Sequence, residues 1–164
     1  LKGKEIYPTL YGAGTVQEEV GLRGAKTVGQ MVKPDIAIAI DVTFAQDLPG
    51  DKSDVKLGTG VALSVMDGSV IAHTGLLKAL ERICDKYQIP YQMDMIAAGG
   101  TDSGELSKVE AGVVNMTLSI PSRYMHSHRT IIHQDDYQAT VNLLTHFIEN
   151  LDEALFQEII EDKR

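Results

Sequence analysis

The sequence predicts an α/β protein, a three-layer α/β/α sandwich built around a mixed, largely parallel sheet. Segments with strand-like and helix-like spacing of apolar residues alternate along the chain, which is the pattern of α/β layers. Asp35–Val42 is a nearly unbroken apolar run, typical of a central strand that is covered on both faces. The length of 164 residues suffices for one domain with a hydrophobic core and is too short for two.

Each element follows from local spacing and from the residues that end it. Strands are predicted at Ile6–Tyr11, Asp35–Val42, Gly60–Met66, Tyr91–Ala97 and Val113–Ile120. Apolar residues three and four apart predict helices at Gly21–Val32, Thr74–Tyr87, Asp135–Asn150 and Leu151–Ile160. Pro34 ends the first helix and Pro121 the last strand, because proline donates no backbone hydrogen bond. Phe44–Thr59 is rich in Asp, Gly and Pro and predicts a long loop of the kind that often covers a site.

Composition and charge argue against several classes of protein. The net charge is −8 and the basic residues are scattered, which argues against a nucleic-acid binder with its basic face. No apolar run is long enough for a membrane span, and Leu1–Tyr11 has no signal-peptide pattern, so no membrane partner is predicted. Cys84 is the single cysteine and sits in apolar helical spacing, which predicts a buried thiol in a cytoplasmic protein.

Polar residues gather where the predicted strands end, which is where α/β sheets place their chemistry. Glu18 and Glu19 follow the first predicted strand, Asp41 closes the apolar run, and His126 follows the last strand. Singly, each is most often a solvated charge, a turn residue or a surface histidine. Together they could converge at one edge of the sheet, where carboxylate and imidazole donors suit catalytic zinc.

The two adjacent glutamates could have different catalytic roles. In extended backbone, neighbouring side chains point to opposite sides, so one of Glu18 and Glu19 can hold a metal while the other faces its bound water. The same geometry disfavours a glycosidase, whose two carboxyl groups must face each other across one bond. The sequence contains no G-x-S-x-G elbow, Walker loop or H-E-x-x-H helix, and Cys84 has no obvious base in its helix.

Four motifs in sequence order resemble the glutamyl/tetrahedral aminopeptidase family of two-metal metallopeptidases. Gly14–Ala25 resembles the family segment T-x-Q-E-E-x-G-x-x-G-A, and Ala39–Gly50 resembles A-x-D-V-T-x-A-x-D-x-P-G. Gly99–Ser103 is similar to the G-G-T-D-A loop, and Ile120–Ser127 is similar to I-P-x-R-Y-x-H-S. The motifs are spread over most of the chain, and their combination makes the resemblance specific.

The resemblance implies a zinc-peptidase, or phosphorylase/hydrolase-like, fold and a reaction in which water bridging two metals attacks the first peptide bond of a peptide. It implies two divalent ions, zinc or cobalt, and self-assembly of the complete enzyme, commonly into a dodecamer. The residues that it assigns are the general base Glu18, the metal ligands Glu19, Asp41 and His126, and the substrate-binding residues Gly100, Thr101 and Asp102.

The chain departs from the family pattern in two missing ligands. The family site also uses a histidine from an H-x-D motif and an aspartate that bridges both metals. That motif lies in the amino-terminal part of family members. The other histidines are His73, His128, His133 and His146, and only His133, in His133-Gln134-Asp135, has H-x-D spacing, but it follows the four motifs instead of preceding them. We therefore expect residues 1–164 to be the carboxy-terminal part of the catalytic domain, without the amino-terminal part and the inserted dimerisation domain. Such a chain should hold one ion or none and be inactive or nearly so.

Two alternative functions are open. A binding or assembly module that keeps the fold without catalysis would account for the missing ligands. The intact Glu18, Glu19, Asp41 and His126 argue against it, because a decayed site has no physical need to keep them. A glucan hydrolase is favoured only by the acid-rich composition, and an assay of peptide against glucan substrates would decide it.

Overall fold

The computed structural model describes residues 1–51 and 54–162. The strands are β1 (Ile36–Phe44), β2 (Val61–Met66), β3 (Tyr91–Met95), β4 (Val114–Arg123) and β5 (Ile131–Ile132). The α-helices are α1 (Arg23–Val32), α2 (Thr74–Tyr87), α3 (Ser103–Leu106), α4 (Gln134–Asn150) and α5 (Glu153–Glu161). Among the described residues, no helix is both long enough and apolar enough to cross a membrane.

Most predicted elements are found, with ends displaced by at most three residues. The helix α2 has the predicted bounds, Thr74–Tyr87. Three short elements were missed: the 3-10 turn Glu18–Val20, α3 within and after the glycine loop (Gly99–Gly104), and β5 before α4. The predicted loop Phe44–Thr59 includes residues 52 and 53, which lie outside the described residues.

The strands form one mixed sheet in the order β1-β4-β2-β3, with β5 paired to β4. β1 runs parallel to β4, and β2 runs parallel to β3, whereas β2 and β4 are antiparallel. The β1–β4 register is unbroken from Ile36 opposite Val114 to Phe44 opposite Ser122. Because two parallel strands end at the same edge of a sheet, the segments that follow β1 and β4 leave the sheet side by side.

One face of the sheet is aliphatic and is covered by α2 and α4, with α5 packed against α2. Its central side chains Leu63, Met116 and Leu118 are fully buried. The helices contribute apolar stripes that cover them, through Leu76, Leu80, Ile83, Leu143, Phe147 and Ile159. Burial of each such side chain contributes about 1.5–3 kcal/mol. Cys84 lies in this core, as predicted, and burial raises the pKa of its thiol to about 12.

The opposite face carries small and polar side chains and is covered by α3, the loop before it and α1. Ser103 of α3 donates a hydrogen bond to Oδ1 of Asn115 on β4 at 2.7 Å. The hydroxyl groups of Thr101, in the preceding loop, and Thr117, on β4, lie 2.6 Å apart. The helix α1 packs on α3 and completes the layer. Helices on both sides of the mixed sheet confirm the predicted three-layer α/β/α sandwich.

The predicted first strand is wrong. Ile6–Tyr11 forms no strand, and the side chain of Tyr7 is exposed. A strand needs a neighbour to satisfy its backbone groups, and within the described part of the chain no strand pairs with this segment. Side-chain contacts hold the segment against the carboxy-terminal helices instead, from Lys4 to Glu149 and from Tyr7 to Glu153.

The strand β4 continues past Pro121, where the sequence predicts its end. β2 pairs only with residues 117–119 of β4, so the missing N–H of Pro121 lies beyond that ladder. Toward β1, the carbonyl oxygen of the next residue, Ser122, accepts a hydrogen bond from the backbone nitrogen of Ala45 at 2.8 Å. The strand therefore runs on to Arg123 and carries the following segment further out along the edge of the sheet.

Candidate active site

The glutamate pair lies on a short 3-10 turn, Glu18–Val20, directly before α1. This turn corrects the expectation of extended backbone. Successive side chains of a 3-10 helix diverge by a third of a turn, so the two carboxylates still point in different directions. The turn is bracketed by left-handed residues, Gln17 with a φ of 60° and Leu22 with a φ of 54°. Such conformations cost roughly 1–3 kcal/mol and cluster at functional sites.

Two contacts tie the segment before the glutamates to the rest of the fold. The backbone nitrogen of Gly24 donates to the carbonyl oxygen of Val16 at 2.9 Å. A Cβ at position 24 would lie 2.3 Å from the backbone nitrogen of Val16, so only glycine permits this approach. The hydroxyl of Thr15 donates to Oδ2 of Asp102 at 2.5 Å, which joins the segment to the glycine loop.

Asp41 and His126 come from β1 and from the segment after β4. Asp41 is the sixth of the nine residues of β1, so it lies inside the strand rather than at its end. His126 lies in the loop 124–130, between the paired residues Arg123 and Ile131. The Nδ1 atom of His126 is 3.6 Å from Oε2 of Glu19. The structure thus brings together two predicted metal ligands that are more than 100 residues apart in the sequence.

Electrostatic interactions place Glu18, Asp41 and Asp102 in the same group. Burial raises the pKa of Glu18, and the negative charges of Asp41, Glu19 and Asp102 raise it further, whereas His126 lowers it. Burial is also the main cause that raises the pKa of Asp41, against a backbone hydrogen bond that lowers it, with Asp102 and Glu19 adding to the rise. A bound divalent cation would relieve this mutual repulsion.

The separation of Glu19 and His126 suits a shared metal ion. Two donors at roughly 2.0–2.1 Å from one tetrahedral zinc lie roughly 3.3 Å apart, close to the 3.6 Å between Oε2 and Nδ1. Both side chains are more than half exposed, so the pair is open to solvent. Within residues 1–51 and 54–162, no three His, Cys, Asp or Glu side chains form a group that could hold an ion. The donors therefore fit part of a coordination shell, not a complete one.

The glycine loop has its threonine side chain turned inward. Thr101 is buried, and its hydroxyl donates to Oδ2 of Asp67 at 3.1 Å as well as bonding to Thr117. The backbone around Gly100 is then the part of the loop that can meet a ligand. Asp102 uses Oδ2 to accept the hydrogen bond from Thr15, while its Oδ1 is buried and has no hydrogen-bond partner among the described residues.

Asp67 is a support of the site that the sequence analysis did not find. Its Oδ1 accepts hydrogen bonds from the backbone nitrogens of Ser69 at 2.6 Å and Val70 at 2.9 Å. The dipeptide Asp67–Gly68 predicts a turn, and these local bonds are the ones that an aspartate makes in a turn. The bond from Thr101 joins residues 34 positions apart, and no local pattern indicates it.

A three-layer α/β sandwich with carboxylate and imidazole side chains near the ends of its parallel strands suits a metal-dependent hydrolase. A family model described as M42 glutamyl aminopeptidase matches residues 1–143, and the chain belongs to this family. The chain is 44% identical over 149 residues to a putative aminopeptidase of Acetivibrio thermocellus, an alignment that covers 88% of this chain and 45% of the relative.

Solved structures show the same relationship. A TET aminopeptidase from the marine sediment archaeon Thaumarchaeota archaeon SCGC AB-539-E09 matches with a TM-score of 0.92 and 35% identity, over 96% of this chain and 45% of that one. The TET1 peptidase of Pyrococcus horikoshii, which can assemble into a tetrahedron or a large octahedral shell, matches with a TM-score of 0.73 and 34% identity, over 84% of this chain and 40% of that one. The chain thus spans less than half the length of the relatives that it matches.

Proposed function

We propose that this chain is part of a metal-dependent aminopeptidase, which removes amino-terminal residues from peptides. The observation that carries the proposal is the 3.6 Å approach of His126 to Glu19. Glu18 and Asp41 lie in the same electrostatic group, with raised pKa values. Membership of the M42 family supports the reaction class. The proposal concerns the whole enzyme to which this segment contributes.

Glu19, Asp41 and His126 would hold the divalent ions, zinc or cobalt, two in the complete enzyme. Carboxylate oxygen and imidazole nitrogen are normal donors for these ions. A bound divalent ion lowers the pKa of water and polarises a carbonyl oxygen. Because the described residues offer no group of three donors, we expect this chain to hold one ion weakly or none. Further donors would come from polypeptide outside these 164 residues.

Glu18 would act as the general base. Its side chain diverges from that of Glu19 on the 3-10 turn, so it is free to face the attacking water while Glu19 faces the metal. Burial and the neighbouring carboxylates raise its pKa, which brings the group closer to the pH at which a proton carrier is efficient. Glu18 would take a proton from the water and return it to the amine that leaves.

Gly100, Thr101 and Asp102 would bind the peptide substrate. The hydroxyl of Thr101 is engaged inside the fold, so the loop would contribute backbone groups. Asp102 would hold the loop in place, because its Oδ2 accepts the hydrogen bond from Thr15 and its Oδ1 is buried. A large homo-oligomer, such as a dodecamer, and a cytoplasmic location belong to the same proposal.

A chimera tests the catalytic roles. Residues 1–164 replace the matching segment of the archaeal TET aminopeptidase, and release of amino-terminal residues from peptides is followed by chromatography. We expect turnover that is lost in Glu18→Gln with the metal retained, and lost together with metal in His126→Ala. His128→Ala is the matched control, because His128 is an exposed neighbour in the same loop. An active Glu18→Gln chimera, or a metal content unchanged by His126→Ala, would contradict the assignment.

The isolated chain provides the second test. Its metal content is measured by elemental analysis after exposure to zinc or cobalt, and its turnover is measured on the same peptides. We expect at most one ion per chain and no turnover above that of the Glu18→Gln variant. Two tightly held ions per chain, or turnover abolished by Glu18→Gln, would show that the site is complete in these residues.

A further inference from the structure

An ion pair joins the loop after β1 to the last residue of β4. The Nε and Nη2 atoms of Arg123 donate to the two carboxylate oxygens of Asp47 at 2.7 and 2.9 Å. The side chains are 32% and 10% exposed, less than in any other Lys or Arg ion pair among the described residues. Two parallel hydrogen bonds are the strong and directional form of this interaction. Arg123 is accordingly the main cause that lowers the pKa of Asp47.

Asp47 is anchored on its own side of this pair. Its Oδ2 also accepts a hydrogen bond from the backbone nitrogen of Leu57 at 3.0 Å. The end of the same loop is held by the buried carboxylate of Asp136 on α4, which accepts from the backbone nitrogens of Gly58 at 2.8 Å and Gly60 at 2.7 Å. Asp47 is therefore held by its own loop, and the end of that loop is held by α4.

The loop 124–130, which carries His126, has a narrow base. Two residue pairs close it, Arg123 with Ile131 and Ser122 with Ile132. Two of its residues are left-handed, Tyr124 with a φ of 61° and His126 with a φ of 60°. Each such conformation costs roughly 1–3 kcal/mol in a non-glycine residue and persists only where the surroundings impose it. Because the His126 side chain is also more than half exposed, its placement depends on what holds the base of the loop.

We infer that Asp47 and Arg123 are positioning residues, whose ion pair holds the base of the loop 124–130 and so keeps His126 beside Glu19. The inference rests on the proposed role of His126 as a metal ligand. Neither Asp47 nor Arg123 is hydrogen-bonded to the site carboxylates among the described residues; they bond to each other and, through Asp47, to Leu57. Asp47 fixes Arg123, Arg123 fixes the turn at Tyr124, and the turn aims the imidazole of His126.

Nuclear magnetic resonance of the full chain tests this inference without metal or substrate. A residue with a φ near +60° shows a strong cross-peak between its own amide proton and Hα, because these protons are close together. In Asp47→Asn and Arg123→Lys, we expect this cross-peak to weaken roughly two- to threefold at positions 124 and 126, as φ leaves the left-handed region. Asp47→Glu, which can restore the paired hydrogen bonds, should recover at least part of the intensity.

The matched control is Glu110→Gln, which removes the exposed ion pair between Lys33 and Glu110. It should leave the cross-peaks of positions 124 and 126 unchanged. Arg123→Lys keeps the positive charge, so a folded variant is available even where Asp47→Asn fails to fold. Wild-type cross-peaks in a folded variant would overturn the inference, whatever its thermal midpoint, and would leave the metal-ligand role of His126 to the chimera.

Discussion

The two faces of this sheet differ in what their side chains do. On one face, Leu63, Met116 and Leu118 are fully buried in an apolar cluster beneath α2 and α4. On the other face, Ser64 and Ser119 are also buried, with their hydroxyl oxygens 3.1 Å apart. Burial of apolar groups stabilises the fold directly, whereas buried polar groups are tolerated only when they are hydrogen-bonded. The first face therefore supplies stability, and the second supplies polar groups to the candidate site.

The polar face also carries a carboxylate that has no role in the proposed reaction. Asp94 of β3 is 3% exposed, and Oγ of Ser64 donates to its Oδ2 over a long distance, 3.4 Å. Burial is the main cause that raises the pKa of Asp94. Removal of this charge from water costs stability at neutral pH. This sheet therefore carries the buried polar groups that cost stability on the face that holds the glycine loop.

Leu118→Ala should have the largest effect. The side chain is fully buried at the centre of the aliphatic face, so truncation removes apolar contacts and leaves a cavity. We expect the free energy of unfolding to fall by about 2–5 kcal/mol in urea titrations. Val141→Ala on α4 is the control, because Val141 is 38% exposed and its truncation opens no internal cavity. Equal losses in the two variants would contradict the assignment of stability to the aliphatic face.

Thr101→Val tests how much the buried hydrogen bonds of the polar face stabilise the fold, because valine has nearly the same shape as threonine. It removes the hydrogen bond to Asp67 and the one shared with Thr117, and leaves their atoms buried without that partner. We expect a loss of about 1–3 kcal/mol in the free energy of unfolding. The control Thr145→Val removes a hydroxyl that bonds to the carbonyl oxygen of Val141 at an exposed position of α4. A loss no greater than that of the control would mean that the buried network adds no stability.

Asp94→Asn should change how stability depends on pH. The pKa of Asp94 is raised in the folded protein. At a pH between its unfolded and folded pKa values, the folded state therefore holds a proton that the unfolded state has released. The contribution of this group is therefore most favourable below its unfolded pKa and is lost as pH rises through its folded pKa. Urea unfolding between acid and neutral pH should show a smaller loss in Asp94→Asn than in the wild type.

Ser64→Ala is the opposing variant for this measurement. The hydroxyl of Ser64 donates to the carboxylate of Asp94 and lowers its pKa, so its removal should raise the pKa further and steepen the loss of stability with pH. The same pH dependence in the wild type and in both variants would mean that Asp94 does not titrate differently in the folded state.

Ile40→Lys should have the smallest effect on folding. Ile40 lies on β1, which pairs only with β4 among the described residues, and its side chain is 57% exposed. We expect a change of about 0.5 kcal/mol or less in the free energy of unfolding. An exposed apolar edge strand favours association, and a lysine on it opposes such pairing. Light scattering should therefore show fewer large species than in the wild type, and unchanged association would mean that this edge is not the contact.

The sequence by itself determined which face of each helix is apolar and where the chain turns. In α2, apolar residues recur at three and four, so the helix and its bounds follow from local spacing alone. The apolar run that became β1 was also predicted as a strand, but the prediction that it is central and covered on both faces is wrong. Among the described residues β1 lies at the edge of the sheet, and Ile40 is 57% exposed. The four motifs also identified the family that the comparisons show, because each motif is a contiguous string of residues.

Tertiary structure alone decided which of these residues meet. The 3.6 Å approach of His126 to Glu19 depends on the parallel pairing of β1 with β4 and on the left-handed residues of two loops. The same is true of Asp47 with Arg123, whose partnership crosses 76 positions of sequence. Periodicity reports the environment along one element, whereas a contact between distant loops depends on the angles and lengths of everything between them. The failed strand at Ile6–Tyr11 has the same cause, because a strand exists only where a neighbour pairs with it.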